Sequence, residues 1–296
     1  MKILSFGSLN LDHVYAVPHF VQPGETLSSD SLAIHCGGKG LNQSIALARA
    51  GAKVYHAGAV GAADGSPLLE LLAQSGVDTR FVRQLPCPSG HAIIQVNRQG
   101  QNCILLYGGA NQQISREQIR ETLSFFEAGD LLILQNEINE LPYLMEQAGK
   151  MGMVIVLNPS PMSPELLKLP LQYVQYFLLN EIEAQAFCGE EVPEAQRAEA
   201  LLKRYPDSHV LVTLGSRGCV YADARQTLRC PALSVHAVDT TAAGDTFTGY
   251  FAARISEGTD PEAAIREATK AAAIAVTRPG AAPSIPLRAE VLQAEI

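Results

Sequence analysis

Short apolar segments recur along the chain and alternate with amphipathic stretches. Apolar side chains occupy successive positions in each segment, so both faces of a strand formed there would be buried. Such segments are typical of the inner strands of a parallel sheet covered by helices on both faces. The predicted strands are residues 3–6, 54–60, 131–134, 153–157, 176–179 and 209–214.

Three of the intervening stretches carry apolar residues at helical spacing. Together with the strands they predict an α/β domain, and the alanine-rich third stripe predicts closely packed helices. The stripes are Leu41, Ile45 and Ala48; Phe247, Tyr250, Phe251 and Ile255; and Ala264, Ala268, Ala271, Ala272 and Ala275.

Two segments do not fit this alternation. Residues 12–35 are extended in character, and residues 89–107 contain two apolar runs around a turn at Gly100, which predicts a hairpin. We expect both segments to pair into a small second sheet over one end of the domain. A few strands alone would leave an apolar face bare. We therefore expect substrate, a second copy of the chain, or both to cover that face.

Composition narrows the function classes. The 296 residues suffice for one large α/β domain, and the net charge of −8 argues against a nucleic-acid partner. We find neither an apolar run long enough for a membrane helix nor the apolar core of a signal peptide, so we expect a cytoplasmic protein. Six scattered cysteines are interpreted as free thiols.

The most informative stretch for chemistry is residues 239–247, DTTAAGDTF. Small residues lead directly into an amphipathic helix, which leaves backbone N–H groups free to bind an anion at the helix N-terminus. Asp245 would lie beside that anion site, an arrangement that suits phosphoryl transfer. The alternative is a favourable acid in the first turn of an ordinary helix.

A second glycine-rich stretch, residues 36–43 (CGGKGLNQ), also opens a helix. It is neither a P-loop nor a dinucleotide fingerprint, because the required glycine spacing is missing. The protein-kinase elements are absent as well. Taken alone, the stretch could equally be a structural turn.

Taken together, the two stretches resemble the paired signatures of the ribokinase (PfkB-type) carbohydrate kinase family. The resemblance covers essentially the whole chain. It includes segments 10–12 (NLD), 23–26 (PGET), 157–159 (LNP), 180–184 (NEIEA), 213–218 (TLGSRG) and 275–278 (AVTR).

This resemblance implies a ribokinase-like three-layer α/β sandwich, residues 1–296 as a single domain, with a mostly parallel central sheet and a small β-sheet lid from segments 12–35 and 89–107. It also implies ATP-dependent phosphorylation of the primary hydroxyl of a pentose, with D-ribose giving D-ribose 5-phosphate. Asp245 would be the general base. The amides of Ala242, Ala243 and Gly244 would stabilise the charge on the phosphoryl group.

The resemblance also assigns binding residues. The alternative for Asn10 and Asp12 is a turn after the first strand, and for Glu137 an exposed charge opening a helix. The implied sugar contacts, besides Asp245, are Asn10, Asp12, Gly38, Lys39, Asn42 and Glu137. The implied ATP contacts are Asn180, Thr213, Leu214, Gly215, Ser216, Arg217, Gly218, Gly244 and Thr269.

Two metal sites follow from the resemblance alone. Glu183 is implied to organise Mg²⁺ through water, the alternative being a carboxylate on a helix surface. A monovalent cation, K⁺ in this family, is implied at a loop site. Its positions are Asp239, Thr241, Ala275, Arg278, Gly280 and Ser284.

The chain departs from the family pattern in places. An acid usually found two residues after Gly61 is shifted to Asp64, which leaves the local loop geometry open. His91 could tune specificity, or be a plain lid residue. Ile45 stands where sugar-phosphate kinases carry an arginine, which favours an unphosphorylated substrate.

Several functional alternatives stay open. Deoxyribose, another sugar or a nucleoside could replace ribose. A non-catalytic sugar or nucleotide sensor on the same fold is a more distant possibility, and a nicotinamide-dependent oxidoreductase lacks its glycine fingerprint. We also expect a homodimer formed through the lid.

Overall fold

The computed structural model describes all residues, 1–296. The chain forms thirteen strands. They are β1 (Ile3–Phe6), β2 (Asn10–Ala16), β3 (Ser31–Gly37), β4 (Val54–Gly61), β5 (Asp78–Leu85), β6 (Gly90–Val96), β7 (Asn102–Tyr107), β8 (Leu131–Gln135), β9 (Val154–Asn158), β10 (Val174–Asn180), β11 (His209–Thr213), β12 (Cys219–Ala222) and β13 (Thr227–Cys230).

Nine α-helices connect these strands, and none of them combines the length and apolar character that crossing a membrane requires. They are α1 (Lys39–Arg49), α2 (Ser66–Gln74), α3 (Arg116–Leu123), α4 (Leu141–Lys150), α5 (Glu181–Cys188), α6 (Arg197–Arg204), α7 (Ala243–Ser256), α8 (Pro261–Val276) and α9 (Arg288–Gln293).

The large sheet has nine strands in the order β13-β12-β11-β10-β9-β8-β1-β4-β5. Strands β5, β4, β1, β8, β9, β10 and β11 run parallel, and β12 and β13 add an antiparallel edge. One face packs against α3 to α6 and the other against α1, α2, α7, α8 and α9, each through a separate apolar core. The predicted three-layer α/β sandwich is confirmed, and all six predicted strands are present.

The small sheet has four strands in the order β3-β2-β6-β7. It contains the two segments that interrupted the strand–helix alternation, so their predicted pairing is confirmed. Between β2 and β3, however, residues 17–30 form no strand. The register places Asp12, Ala92 and Leu106 in one cross-strand row and so on one face, while His13, Ile93 and Leu105 share the other face.

Candidate active site

The carboxyl ends of the parallel strands meet at one edge of the large sheet. Strands β4 and β5 lie on one side of β1 in the sheet. Strand β8 lies on the other side of β1, and β9 to β13 follow it in that direction. The connections that follow β1 and β8 therefore diverge, and they leave a crevice where α/β proteins bind ligands. The N-termini of α1 and α7 lie at this crevice.

The glycine-rich stretch 36–43 allows α1 to approach the loop after β1 closely. The backbone at Gly38 has a φ of 97°, a conformation that residues other than glycine rarely adopt. At Gly40, an added Cβ would lie 2.4 Å from the Ser8 nitrogen. With glycine at position 40, the Leu41 amide is close enough to donate to the Ser8 carbonyl at 3.0 Å. This stretch therefore fixes the position of α1 beside the carboxyl end of β1.

The stretch before α7 leaves backbone donors free. The amides of Ala242 and Gly244 make no hydrogen bond to the protein, whereas the Ala243 amide donates to the Thr240 carbonyl at 3.3 Å. Ala242 has a φ of 58°, an unusual left-handed conformation for alanine. The free donors and the helix dipole together make this N-terminus suited to an anion.

Asp245 lies in the first turn of α7, and its side chain is buried. Its Oδ2 accepts a hydrogen bond from Asn42 Nδ2 at 3.0 Å, and its Oδ1 accepts one from Gln43 Nε2 at 2.9 Å. The two signature stretches, about 200 residues apart in sequence, therefore meet at this carboxylate.

Two cavities meet at the N-terminus of α7, and Asp245 lines the smaller one. The smaller, of about 200 Å³, is polar, and Asp245, Lys39, Asn180 and Glu183 contribute to its wall. The larger, of about 330 Å³, is mostly apolar and extends between α7, α8 and the edge strands. Residues shared by both walls are Thr213, Thr240, Gly244 and Phe247.

Lys39 supplies a positive charge to the smaller cavity. Burial alone would lower the pKa of Lys39, but the charges of Asp245, Glu137 and Glu183 outweigh it and raise the pKa. The ammonium group therefore stays charged. Lys39 was implied as a sugar contact, and its position in this cavity also brings it close to the free amides before α7.

Of the implied sugar residues, Lys39 and Asp245 line the smaller cavity, whereas Asn10, Asp12, Gly38, Asn42 and Glu137 do not. Glu137 follows β8 and accepts hydrogen bonds from the Ser8 hydroxyl and from the Lys39 amide. Burial raises the pKa of Glu137, although these two bonds act in the opposite direction. Burial and then the charge of Glu137 raise the pKa of Asp12 to about 6. Glu137 precedes α4 by four residues, so it does not open a helix.

Asn10 is held by a residue that the sequence did not single out. Asn111 Nδ2 donates to Asn10 Oδ1 at 2.7 Å, and Asn111 Oδ1 accepts from the Leu9 amide at 3.0 Å. On Asn42, the Oδ1 atom is buried and has no partner. A buried amide oxygen without a partner is costly, so this atom is available to a donor on a ligand.

The structure brings most of the implied ATP residues together, but not all. Arg217 points away from the larger cavity and forms ion pairs with Glu181 and Glu194. Leu214 does not line either cavity. Those that line the larger cavity are Thr213, Gly215, Ser216, Gly218, Gly244 and Thr269, and Asn180 lines the smaller.

Glu183 is not a carboxylate on a helix surface, because it is only 2% exposed. Its Oε2 accepts from the Asn180 amide at 2.9 Å, and Asn180 Oδ1 accepts from the Glu183 amide at 2.8 Å, which together form a capping box for α5. The Ser160 hydroxyl donates to the other oxygen. Each oxygen retains a lone pair that could accept from a hydrated Mg²⁺.

The residues implied at the cation site lie on the loop before α7, at the C-terminal end of α8 and on the segment that follows α8. Asp239 Oδ1 accepts from the Thr241 amide at 2.9 Å and Oδ2 accepts from the Gly280 amide at 2.8 Å, so this carboxylate ties the two loops together. The Ala275 carbonyl accepts from the Arg278 amide. Hard oxygen donors of this kind fit an alkali cation. No three His, Cys, Asp or Glu side chains are grouped for metal binding.

The departures from the family pattern have structural explanations. Asp64 accepts from the Ser89 hydroxyl at 2.6 Å and thereby ties the loop after β4 to the start of β6. His91 lies on the face of the small sheet opposite Asp12, which favours the plain lid interpretation over a role in specificity. Ile45 is fully buried in the core, on neither cavity wall.

Sequence reasoning assigned no role to Gln43, Asn111 or Asn158. Gln43 and Asn158 lie in segments 36–43 and 157–159, which carry the family resemblance, and this was the available signal for them. Asn111 contacts Leu9 and Asn10 across about 100 residues of chain, so no local pattern could reveal it.

The pfkB family carbohydrate kinase model matches residues 1–288 of the chain. The ribokinase of Haemophilus influenzae is 37% identical over 297 residues, which cover 97% of this chain and 96% of the relative. The deoxyribokinase of Salmonella typhi is 33% identical over 298 residues and covers similar shares, 97% and 96%. Arabidopsis thaliana ribokinase, solved with ribose and ATP, is 30% identical with a TM-score of 0.84, covering 99% and 97% of the two chains.

Proposed function

Because the chain belongs to the pfkB family of carbohydrate kinases, we propose that it transfers the γ-phosphoryl group of ATP to the primary hydroxyl of D-ribose. The product is D-ribose 5-phosphate. The observation that carries this proposal is the position of Asp245, on the wall of a polar cavity that shares Gly244 with a larger, mostly apolar one. The relative from Haemophilus influenzae, a ribokinase, supports the choice of sugar.

In the proposed mechanism, Asp245 accepts the proton of the sugar's primary hydroxyl while the hydroxyl oxygen attacks the γ-phosphorus of ATP. The bond to the β–γ bridging oxygen breaks, and ADP leaves. The free amides of Ala242 and Gly244 donate to the phosphoryl oxygens, and Lys39 neutralises part of their charge. These groups are already in position, which is the main requirement for catalysis of phosphoryl transfer.

The sugar would bind between the large sheet and the Asp12 face of the small sheet. Asn42 Oδ1 lacks a partner, and it would accept one hydroxyl. Asp12 and Glu137 would accept others, and each hydroxyl hydrogen bond would offset part of the cost of burying these carboxylates. This match between acceptors and hydroxyls favours a polyhydroxylated substrate.

The adenine would occupy the larger cavity, between Gly215–Gly218 and Thr269. Glu183 would hold a hydrated Mg²⁺, whose charge would screen the phosphates. Asp239 and the other residues implied at the cation site would hold a monovalent cation, whose charge would stabilise the conformation that exposes the amides of Ala242 and Gly244.

We also propose a homodimer formed through the small sheet. On the face opposite Asp12, Ile34 and Leu105 are 55% and 67% exposed. Apolar side chains this open to solvent suit a self-complementary contact between two copies.

A substrate panel tests the proposal. Coupled ADP release would be measured with ribose, deoxyribose, fructose and ribonucleosides, and ribose is expected to give the highest kcat/KM. A higher value for deoxyribose would support the alternative that the Salmonella typhi relative favours. Absence of turnover with every sugar and nucleoside would overturn the proposal.

A further inference from the structure

Gln43 occupies the centre of a buried amide network behind Asp245. The residue is fully buried in α1. Its Nε2 donates both hydrogens, one to Asp245 Oδ1 at 2.9 Å and one to Asn158 Oδ1 at 3.0 Å. Its Oε1 accepts from Gln135 Nε2 at 2.7 Å. Both donors and the acceptor of this side chain are therefore used within the protein.

The direction of this network is fixed at one end by the backbone. Asn158 Nδ2 donates to the Leu178 carbonyl at 3.0 Å, and a carbonyl can only accept. Asn158 must therefore present its oxygen to Gln43, and Gln43 must present its NH₂ group to Asn158 and Asp245. A flipped Gln43 amide would place its oxygen against two other oxygens and its NH₂ group against Gln135.

We propose that Gln43 is a positioning residue, which the Asn158–Gln135 network orients so that it always offers a hydrogen-bond donor to the catalytic carboxylate. The inference rests on the proposed kinase function. Asn42 holds one oxygen of Asp245 and Gln43 holds the other, so rotation of the carboxylate would break both bonds.

The arrangement has one consequence for the reaction. The carboxylate keeps one orientation, while its oxygens retain lone pairs that can accept the proton of the sugar hydroxyl. Gln43 thus affects the geometry of Asp245 without contacting the substrate.

The test compares two buried glutamines. Gln43→Met keeps the approximate shape but removes every hydrogen bond. Gln118→Met is the matched control, because Gln118 is also buried and donates to the Gly58 carbonyl at 2.7 Å, remote from Asp245. Thermal unfolding, the KM for ATP, and kcat and KM for ribose would be measured for both variants and for wild type.

Gln43→Met is expected to lower kcat/KM roughly 10- to 100-fold. The KM for ATP should stay within about twofold, since Gln43 lines neither cavity. Gln118→Met should unfold at a lower temperature and keep the wild-type kcat/KM for ribose.

Should Gln43→Met not fold, Gln135→Leu provides a second variant. It removes only the partner of Gln43 Oε1, so kcat/KM for ribose is expected to fall by a smaller factor, again with an unchanged KM for ATP. A folded Gln43→Met variant with the wild-type kcat/KM would overturn the positioning role and leave the kinase function intact. An inactive wild-type protein would overturn the kinase function, and the positioning role with it.

Discussion

The two sheets of the molecule differ in how far their polar groups are hydrogen-bonded and their apolar groups buried. Around Asp245, at the edge of the large sheet, the side chains are buried, and hydrogen bonds from Asn42 and Gln43 hold both carboxylate oxygens. In the small sheet, apolar side chains such as Leu105 and Leu106 are 67% and 53% exposed. There the Asp12 carboxyl has its pKa raised to about 6, chiefly by burial.

The catalytic groups at the large sheet are therefore preorganised, whereas the binding surfaces of the small sheet are incomplete without their partners. The base and the anion-binding amides require no partner to reach their positions, because the protein already orders them. The small sheet leaves apolar area uncovered and carries a carboxylate without a compensating donor. Substrate on one face and a second copy on the other would remove both deficits, so the small sheet is the part that binding completes.

The largest expected effect comes from removing the base at the large sheet. Asp245→Asn should lower kcat by about 10²- to 10⁴-fold, because the amide cannot accept a proton. ATP should still raise the unfolding temperature, since the walls of the larger cavity are unchanged. A coupled ADP assay and a thermal shift measure the two quantities. Turnover near the wild-type value would disprove the assignment of Asp245.

The two faces of the small sheet can be separated with adjacent leucines. Leu106→Asp places a charge on the Asp12 face and should raise the KM for ribose roughly 10-fold or more, with the dimer intact. Leu105→Asp places the same charge on the opposite face and should yield monomers at micromolar concentration.

Light scattering and the kinetics of both variants test this separation. If the two substitutions had the same effect on ribose affinity and on association, the assignment of separate roles to the two faces would be wrong.

A smaller effect is expected from Asp12, whose folded pKa of about 6 lies above the ordinary value of 3.8. Ionising this group is harder in the folded protein than in the unfolded chain. Its contribution to the free energy of unfolding should therefore be greatest below pH 4 and decline as the pH rises to about 6. The decline should be roughly 1 kcal/mol, because the side chain is partly open to solvent.

Asp12→Asn should remove this decline and raise the free energy of unfolding at pH 7, while weakening ribose binding. Urea denaturation at pH 4, 5.5 and 7 measures the first effect, and the KM for ribose the second. A variant less stable than wild type at pH 7 would show that the ionised carboxylate is compensated in the folded protein after all.

Local sequence patterns were sufficient to predict the parallel strands of the large sheet and where its main helices begin. The strands of the parallel sheet follow from uninterrupted apolar runs, because burial on both faces requires them. The glycines of residues 36–43 mark a helix N-terminus, because the φ of 97° at Gly38 and the close approach of Gly40 to the Ser8 backbone exclude larger side chains. The apolar runs and this cluster of glycines are both visible in short windows of sequence, so the sequence alone determined these elements.

Only the tertiary structure decided which polar groups meet. Asn111 reaches Asn10, and Gln135 and Asn158 reach Gln43, through contacts that span about 90 to 115 residues and carry no local signature. The tertiary structure also pairs Arg217 with Glu181 and Glu194, and it buries Glu183. Hydrogen bonding and desolvation depend on what surrounds a group in space, and the order of residues along the chain does not state this.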